Sequence, residues 1–137
     1  MRVNDTQEVE MAFEPLIGRK GRLRGDYPPA ITLNFKLGRI VFLSKAYQEM
    51  ENRFGQEVRH VQILTDTAQP HIFLIQPCSP NVRGALRVDL TPGSSPSISA
   101  GLLFSRLAIS REEDLRRVKI AWNENYQGWL VDVRDEV

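Results

Sequence analysis

The order of residue patterns in the middle of this chain recurs in its second half, and this repetition limits the possible folds more than any other feature. Residues 31–35 alternate apolar and polar side chains, as a half-buried strand does, and residues 86–90 repeat that alternation about 55 positions later. Each stretch is followed by a turn with glycine, a short apolar strand, a serine placed to cap a helix, and a hairpin. The matched pairs are Ile31 with Leu86, Leu33 with Val88, Phe35 with Leu90, Gly38 with Gly93, Leu43 with Ile98, Ser44 with Ser99, Val61 with Val118, Ile63 with Ile120, Ile72 with Trp129 and Leu74 with Val131.

A unit of about 50 residues is too small to bury a core by itself, whereas two copies packed together can do so. The repetition therefore predicts a mainly β (α+β) fold. In it, two related units of strands, a short helix and a β-hairpin form one pseudo-twofold, β-barrel-like body. We divide the chain into an N-terminal arm with a basic cluster over residues 1–30, a first repeat over residues 31–80 and a second repeat over residues 81–137, within a single compact domain.

Apolar residues at helical spacing predict a short helix in each repeat. In the first repeat Ser44 is a good N-cap, and Gly55 is placed to end the helix. In the second repeat Ser99 is the candidate cap, and Ser110 with Glu113 forms a capping box for a further helical turn.

The hairpin of the second repeat has a register in which one face is entirely apolar. That register places Trp122 opposite Trp129 and Val118 opposite Val133, and it leaves the charged residues on a solvated face. Two opposed tryptophans could form a stacking platform for bases or sugars. On the apolar face of a hairpin, we expect them to belong to the core.

The hairpin of the first repeat is apolar on both faces when Ile63 is placed opposite Leu74. Its second face then carries Leu64, Phe73 and Ile75, and something must cover these side chains. A partner subunit is one candidate, which makes these three residues a predicted partner interface. The other candidate is the N-terminal arm, with its apolar residues Phe13, Leu16 and Ile17.

Positive charge is concentrated locally, although the whole chain is nearly neutral. Eighteen Lys+Arg residues against seventeen Asp+Glu residues give a net charge of +1, which does not predict a protein that coats nucleic acid but leaves room for a basic patch. Glycines interleave with the basic residues of positions 19–24, and arginine can bond phosphate oxygens bidentately. The candidate nucleic-acid-binding residues are Arg19, Lys20, Arg22, Arg24, Lys36 and Arg39. The alternative for the cluster is a solvated loop paired with Glu14 and Asp26.

Composition argues against several other classes of protein. The single cysteine excludes an internal disulfide framework and is typical of a reducing compartment. No apolar run approaches the roughly 18–20 residues that a membrane span needs, and the chain does not open like a signal peptide. We therefore expect a cytoplasmic protein that has no membrane partner.

Histidine, cysteine and serine residues do not occur at the spacings that are typical of metal or catalytic sites. Two histidines and one cysteine lack the spacing of a zinc site, so we expect no metal and no cofactor. His71 and Cys78 bracket one strand, and the predicted hairpin register directs Cys78 away from His60, so a Cys/His nucleophilic pair is not expected. The serine-rich turn at residues 93–97 lacks the Gly-Lys-Ser/Thr ending of a phosphate loop. We expect a protein that is not an enzyme.

In the first repeat, a strand is followed by a Gly-Arg-Ile turn into a second strand, a capped short helix and a hairpin. The residues concerned are Ile31-Thr32-Leu33, Lys36-Leu37-Gly38-Arg39-Ile40, Ser44 through Tyr47, and the hairpin of Val61 and Ile72. This order resembles the AbrB-type transition-state regulators, whose half-unit is a swapped-hairpin β-barrel fragment that needs a second copy. MraZ-type proteins are similar in carrying two such units in one chain.

The resemblance covers residues 31–77 and, more faintly, residues 86–133. It implies DNA binding by basic residues near the first turn. The second repeat has Gly93-Ser94-Ser95 where the first has Gly38-Arg39-Ile40, so only the first keeps the positive charge. Ser44 stands where the family usually has a proline.

Two functions follow as expectations. The first is a non-enzymatic binding protein, in the form of a DNA-binding transcriptional regulator or antitoxin-like module. Its six basic residues would contact the phosphates of double-stranded DNA, and Asn34 would reach a base edge. The alternative is a protein–protein or small-ligand-binding module that has lost DNA binding and forms a homodimer or binds a protein partner.

Overall fold

A computed structural model describes residues 28–107 and 114–137, and in these ranges the protein is mainly β. Eight strands and two helices occur in the described ranges. They are β1 (Ala30–Asn34), β2 (Arg39–Phe42), α1 (Ser44–Phe54), β3 (His60–Thr65), β4 (Ile72–Pro77), β5 (Leu86–Arg87), β6 (Ser97–Ser99), α2 (Gly101–Phe104), β7 (Leu115–Asn123) and β8 (Gly128–Glu136).

All eight strands join one antiparallel sheet in the order β5-β3-β4-β8-β7-β1-β2-β6. The two ends of this order meet at an isolated bridge between Asp89, just beyond β5, and Ser97 of β6. The Asp89 N–H donates to the Ser97 carbonyl at 2.7 Å, and the Ser97 N–H donates back at 3.3 Å. The sheet is therefore nearly closed and barrel-like, which confirms the predicted β-rich body.

The order strand, strand, helix, strand, strand occurs twice along the described residues. Gly38 and Gly93, which the sequence places in equivalent turns, both have positive φ, at +68° and +84°. Such a backbone conformation favours glycine because a side chain there is strained. Strand β1 pairs with β7 and strand β5 pairs with β3, so each of the two sequence halves contributes strands beside those of the other.

The second hairpin has the predicted register near its turn. Trp122 lies opposite Trp129, and Ile120 lies opposite Val131. Farther from the turn the prediction is wrong, because a bulge between Val118 and Ile120 moves Val118 opposite Glu136 instead of Val133.

The tryptophan rings of this hairpin meet edge to face, with their centroids 5.2 Å apart. Trp129 is 1% exposed, and Trp122 packs against the core, so the pair belongs to the core as expected.

The first hairpin is one residue out of the predicted register. Leu64, not Ile63, lies opposite Leu74, and Ile63 lies opposite Ile75. The turn explains the shift, because the Asp66 carboxylate accepts the N–H of Ala68 at 2.9 Å and fixes the strand connection at that point.

This shift of one residue changes which side chains share a face: Ile63 now lies with Phe73 and Ile75, and Leu64 lies with Leu74. Phe73 and Ile75 are 1% and 0% exposed and belong to the hydrophobic core, so the predicted partner interface is corrected for these two residues. Leu64 is 39% exposed and lies on the outer face of the sheet.

The first helix has the predicted length and a different beginning. Leu43 occupies the N-cap position, without a side-chain capping bond, and Ser44 is the first helical residue. Gly55 ends the helix as predicted, with φ of +86° and its N–H donating to the carbonyl of Glu51 at 2.8 Å. The Tyr47 hydroxyl donates to the carbonyl of Val58 at 2.9 Å, which holds the helix against the start of β3.

The second helix is a single turn. It begins at Gly101 with Ala100 as N-cap, so Ser99 is not its cap and belongs to β6. The capping box of Ser110 and Glu113 lies outside the described residues. No helix in the described part of the chain is long and apolar enough to cross a membrane.

Candidate anion-binding site

The structure describes two of the six residues that the sequence predicts to bind nucleic acid. Arg39 is the first residue of β2, and Lys36 is exposed in the turn before it. The other four, Arg19, Lys20, Arg22 and Arg24, lie outside the described residues.

The Arg39 side chain lies on the outer face of the sheet, because its neighbour Ile40 points into the core. Strand β6 runs alongside, with Ser99 opposite Arg39. The guanidinium donates to the Ser97 hydroxyl from Nε at 3.1 Å and from Nη2 at 2.8 Å. A third bond runs from Nη1 to the Ser99 hydroxyl at 3.3 Å. Two serines therefore fix the orientation of this arginine.

The serines orient Arg39 without neutralising it, because a hydroxyl carries no charge. Among residues 28–107 and 114–137, the carboxylate that pairs with Arg39 is that of Asp89, whose Oδ2 lies 3.8 Å from Arg39 Nη2. Hydrogen bonds from the hydroxyl and N–H of Thr91 hold the pKa of Asp89 below its ordinary value, and the charges of Arg39 and Arg87 lower it further. Five N–H donors belong to a guanidinium, and three hydrogen bonds leave two of them for a ligand.

Arg39 faces an open groove of about 740 Å³ along the line where the sheet closes. We call it the seam groove. Its lining comes from the ends of β2 and β3 and from β5 with the residues beside it. The lining residues are Arg39, Glu57, Arg59, His60, Arg87, Val88, Asp89, Leu90 and Thr91.

Pairing between β3 and β5 places three further residues, Arg59, His60 and Arg87, along this groove. His60 lies opposite Arg87, and Arg59 precedes His60 in the chain. Arg59 donates to Glu57 at 2.8 Å in an exposed ion pair. No hydrogen bond or ion pair engages the Arg87 side chain within residues 28–107 and 114–137. The lining thus carries three guanidinium groups and two carboxylates, a formal excess of one positive charge.

Sequence reasoning missed Arg59, His60 and Arg87. No local motif marks them, because they converge only through the pairing of β3 with β5. Val61 pairs with Leu86, so their neighbours His60 and Arg87 share the outer face, and this pairing was not predicted from the sequence.

Asn34, which the sequence predicted to reach a base edge, stabilises a turn. Its Oδ1 accepts the N–H of Leu37 at 2.9 Å, so the side-chain carbonyl stabilises the turn between β1 and β2.

The corrected register of the first hairpin brings His60 and Cys78 together, contrary to the prediction. The Cys78 N–H donates to the His60 carbonyl at 3.0 Å. No side-chain hydrogen bond joins the two residues in the described part of the chain, and burial raises the pKa of the Cys78 thiol. A thiol in this state is a poor nucleophile. Among the described residues, no group of three or more His, Cys, Asp and Glu side chains could hold a metal ion.

No family model, curated protein or solved structure matches this chain.

Proposed function

We propose that this protein is a non-enzymatic binding protein whose seam groove holds phosphate groups of double-stranded DNA. The observation that carries the proposal is the guanidinium of Arg39, oriented by Ser97 and Ser99 and facing the same groove as Arg59 and Arg87. A planar guanidinium with free donors suits a phosphate better than any neutral group does.

The form of the groove favours an extended polyanion. It is open along the surface, and its arginines come from three different strands or strand ends. Phosphate contacts of this kind fix the position of a nucleic acid without reading its sequence. The basic cluster Arg19, Lys20, Arg22 and Arg24, together with the exposed Lys36, would add further phosphate contacts.

The proposal includes descent from a duplicated, AbrB-like unit and the role of a transcriptional regulator or antitoxin-like module. Three observations support duplication. The element order occurs twice, the turn glycines Gly38 and Gly93 share a positive φ, and two cross-strand pairs match. In that match, Ile31 pairs with Val118 and Leu86 pairs with Val61, as the sequence equivalences require.

A salt titration tests the proposal. Fluorescence anisotropy of a labelled mixed-sequence DNA duplex is measured against protein concentration at several salt concentrations. Each lost phosphate contact reduces the slope of log affinity against log salt by about 0.9. The double variant Arg59→Gln with Arg87→Gln should therefore bind more weakly and show a slope smaller by about 2. Arg39 is left unchanged because it also joins β2 to β6.

A matched control carries the same change in net charge on the opposite part of the sheet. Lys119→Gln with Arg134→Gln removes two positive charges from β7 and β8 and should leave the slope unchanged. Equal losses in the two double variants would show that only overall charge matters. No binding by the unchanged protein at low salt would reject the DNA proposal itself.

A second candidate function is self-association, which an apolar stripe on the outer face favours. Leu64 lies opposite Leu74, Leu74 lies opposite Leu130, and Leu130 lies opposite Ala121, so the stripe crosses four adjacent strands. Leu64 and Leu130 are 39% and 40% exposed, whereas Leu74 between them is 6% exposed. Exposed apolar side chains grouped on one face favour a contact surface there. If a second copy covers the stripe, light scattering should show a dimer that Leu130→Asp converts to a monomer.

A further inference from the structure

The barrel wall has a gap directly below its closing bridge. Among the described residues, the segment of β5 is joined to β6 by one isolated bridge, between Asp89, just beyond β5, and Ser97. A continued antiparallel ladder would place Arg87 opposite Ser99 and Leu86 opposite Ala100, but no such pair forms among the described residues. The N–H of Ala100 instead donates to the carbonyl of Gly38 at 2.8 Å, on the other side of β6.

A cleft of about 250 Å³ lies in the gap between β5 and β6. Apolar side chains form most of its lining, and they are contributed by β3, β5 and α2. The lining residues are Ile63, Thr65, Gly84, Leu86, Ser99, Ala100, Leu102, Leu103 and Arg106.

The cleft reaches the hydrophobic core. Ala100 and Leu103 are core residues, and Ile63 and Leu86 pack against the core. An apolar ligand body would therefore contact core side chains, and water would gain few hydrogen bonds there. The volume lies just below the roughly 300–1,000 Å³ of drug-sized ligand sites, which suits a compact ligand.

One positively charged side chain, that of Arg106, lines this mostly apolar cleft. Arg106 follows α2 and is exposed, and within the described ranges its side chain forms no hydrogen bond or ion pair. The hydroxyl groups of Thr65 and Ser99 are the other polar side-chain groups of the lining. An apolar cleft with a single arginine and two hydroxyl groups complements a ligand with an apolar body and one carboxylate.

We propose that this cleft binds a small amphipathic carboxylic acid, with an apolar body of about six to eight carbon atoms between β5 and α2 and the carboxylate on Arg106. The cleft and the seam groove have different lining residues but adjoin at Ser99, whose hydroxyl also accepts a hydrogen bond from Arg39. Ligand binding in the cleft depends on apolar contacts and Arg106, whereas the seam groove depends on several basic groups.

The test titrates the full chain with octanoate and, separately, with octan-1-ol, which has the same tail and no charge. Binding is followed by ¹H–¹⁵N NMR shifts. Octanoate should give saturable shifts at the amides of Thr65, Ser99 and Leu102. Octan-1-ol should bind at least about tenfold more weakly, because it lacks the charge-assisted bonds to Arg106.

Two variants separate the parts of the site. Arg106→Gln should weaken octanoate binding about tenfold and leave octan-1-ol binding unchanged. Thr65→Phe should fill the cleft and remove binding of both ligands, whereas Thr67→Phe, the same change in the exposed turn after β3, should not. Arg87→Gln, in the seam groove, should also leave octanoate binding intact.

Three results would overturn the proposal. One is the absence of saturable shifts with octanoate at millimolar concentration. Another is equal affinity for the acid and the alcohol. The third is octanoate binding that Arg106→Gln does not change. Arg106 is exposed, so the Arg106→Gln protein should fold. That variant therefore tests the proposal even if Thr65→Phe disturbs the sheet.

Discussion

The guanidinium of Arg39 on β2 and the hydroxyl of Ser97 on β6 form two hydrogen bonds, at 3.1 Å and 2.8 Å, across the last full strand pair of the sheet. The two residues are 58 positions apart in the chain, so the contact ties distant segments together. Ser97 is 8% exposed, and its hydroxyl has little access to water. The pair thus serves both the fold and the proposed anion site.

Ser97→Ala should lower the free energy of unfolding by about 1–2 kcal/mol, because hydrogen bonds to a charged group are lost while Arg39 can still reach water. DNA affinity should fall as well, since the guanidinium is no longer oriented. Urea unfolding and the anisotropy titration measure the two effects. Ser95→Ala, in the exposed turn before β6, should change stability by less than about 0.5 kcal/mol.

Gly128 should not tolerate a side chain. A Cβ built at this position would lie 2.6 Å from the carbonyl oxygen of Ile75, on the neighbouring strand β4. Gly128→Ala should therefore destabilise the protein by about 1–3 kcal/mol. Gly101→Ala is the matched control, because a Cβ there meets nothing within 4 Å. Equal thermal unfolding midpoints for the two variants would contradict the packing of β8 against β4.

The two faces of the first hairpin should differ sharply in sensitivity. Phe73→Ala removes a ring that is 1% exposed and should cost about 3–5 kcal/mol. Leu64→Ala removes a side chain that is 39% exposed and should cost no more than about 1 kcal/mol. Denaturant unfolding measures both. Similar costs for the two variants would instead favour the register in which Ile63 faces Leu74, because that register places Leu64 and Phe73 on the same face.

The carboxyl of Asp132 should titrate at unusually low pH. Arg134 donates to it from Nε at 3.0 Å and from Nη2 at 2.8 Å, and these bonds lower its pKa to about 2. In the unfolded chain the pKa of an aspartate is about 3.9. Between these values the unfolded state binds more protons, so this group's contribution to stability rises with pH and is lost as pH falls through about 2.

Carbon-13 NMR of the Asp132 carboxyl group measures that titration directly. Arg134→Gln should move the midpoint up toward the ordinary value, because it removes the largest cause of the shift. Asp132→Asn should flatten the rise of stability between about pH 2 and pH 4. A midpoint near 4 in the unchanged protein would contradict the hydrogen-bonded geometry of the pair.

Local signals predicted much of the secondary structure. Glycines at turns and helix ends are such signals: the turns at Gly38 and Gly93 and the helix end at Gly55 occur as predicted, and all three glycines have positive φ. The apolar pattern around Trp122 and Trp129 likewise predicted the register of the second hairpin near its turn. These features depend on neighbours in the sequence, which is why a sequence pattern can predict them.

Contacts between residues far apart in the chain could not be predicted from local sequence patterns. Ile63 and Leu64 are both apolar, so hydropathy could not choose between the two registers, and the turn at Asp66 decided. The grouping of Arg39 with Arg87 arises only when β6 and β5 meet at the seam. The sequence predicted that Arg39 contacts a DNA phosphate, and this stays a prediction that the DNA affinity of Ser97→Ala tests.

The closing bridge between Asp89 and Ser97 has a consequence for ligand binding. It joins the two ends of the sheet by two backbone hydrogen bonds, whereas β1 and β7 are joined along five residue pairs. The barrel should therefore unroll most easily along this line, and its amides should exchange with solvent first. A phosphate that bonds Arg39 on β2 and Arg87 on β5 would span the opening and become part of the wall. Phosphate binding would then stabilise the closed barrel, because the ligand would bind the closed form more tightly than the opened one.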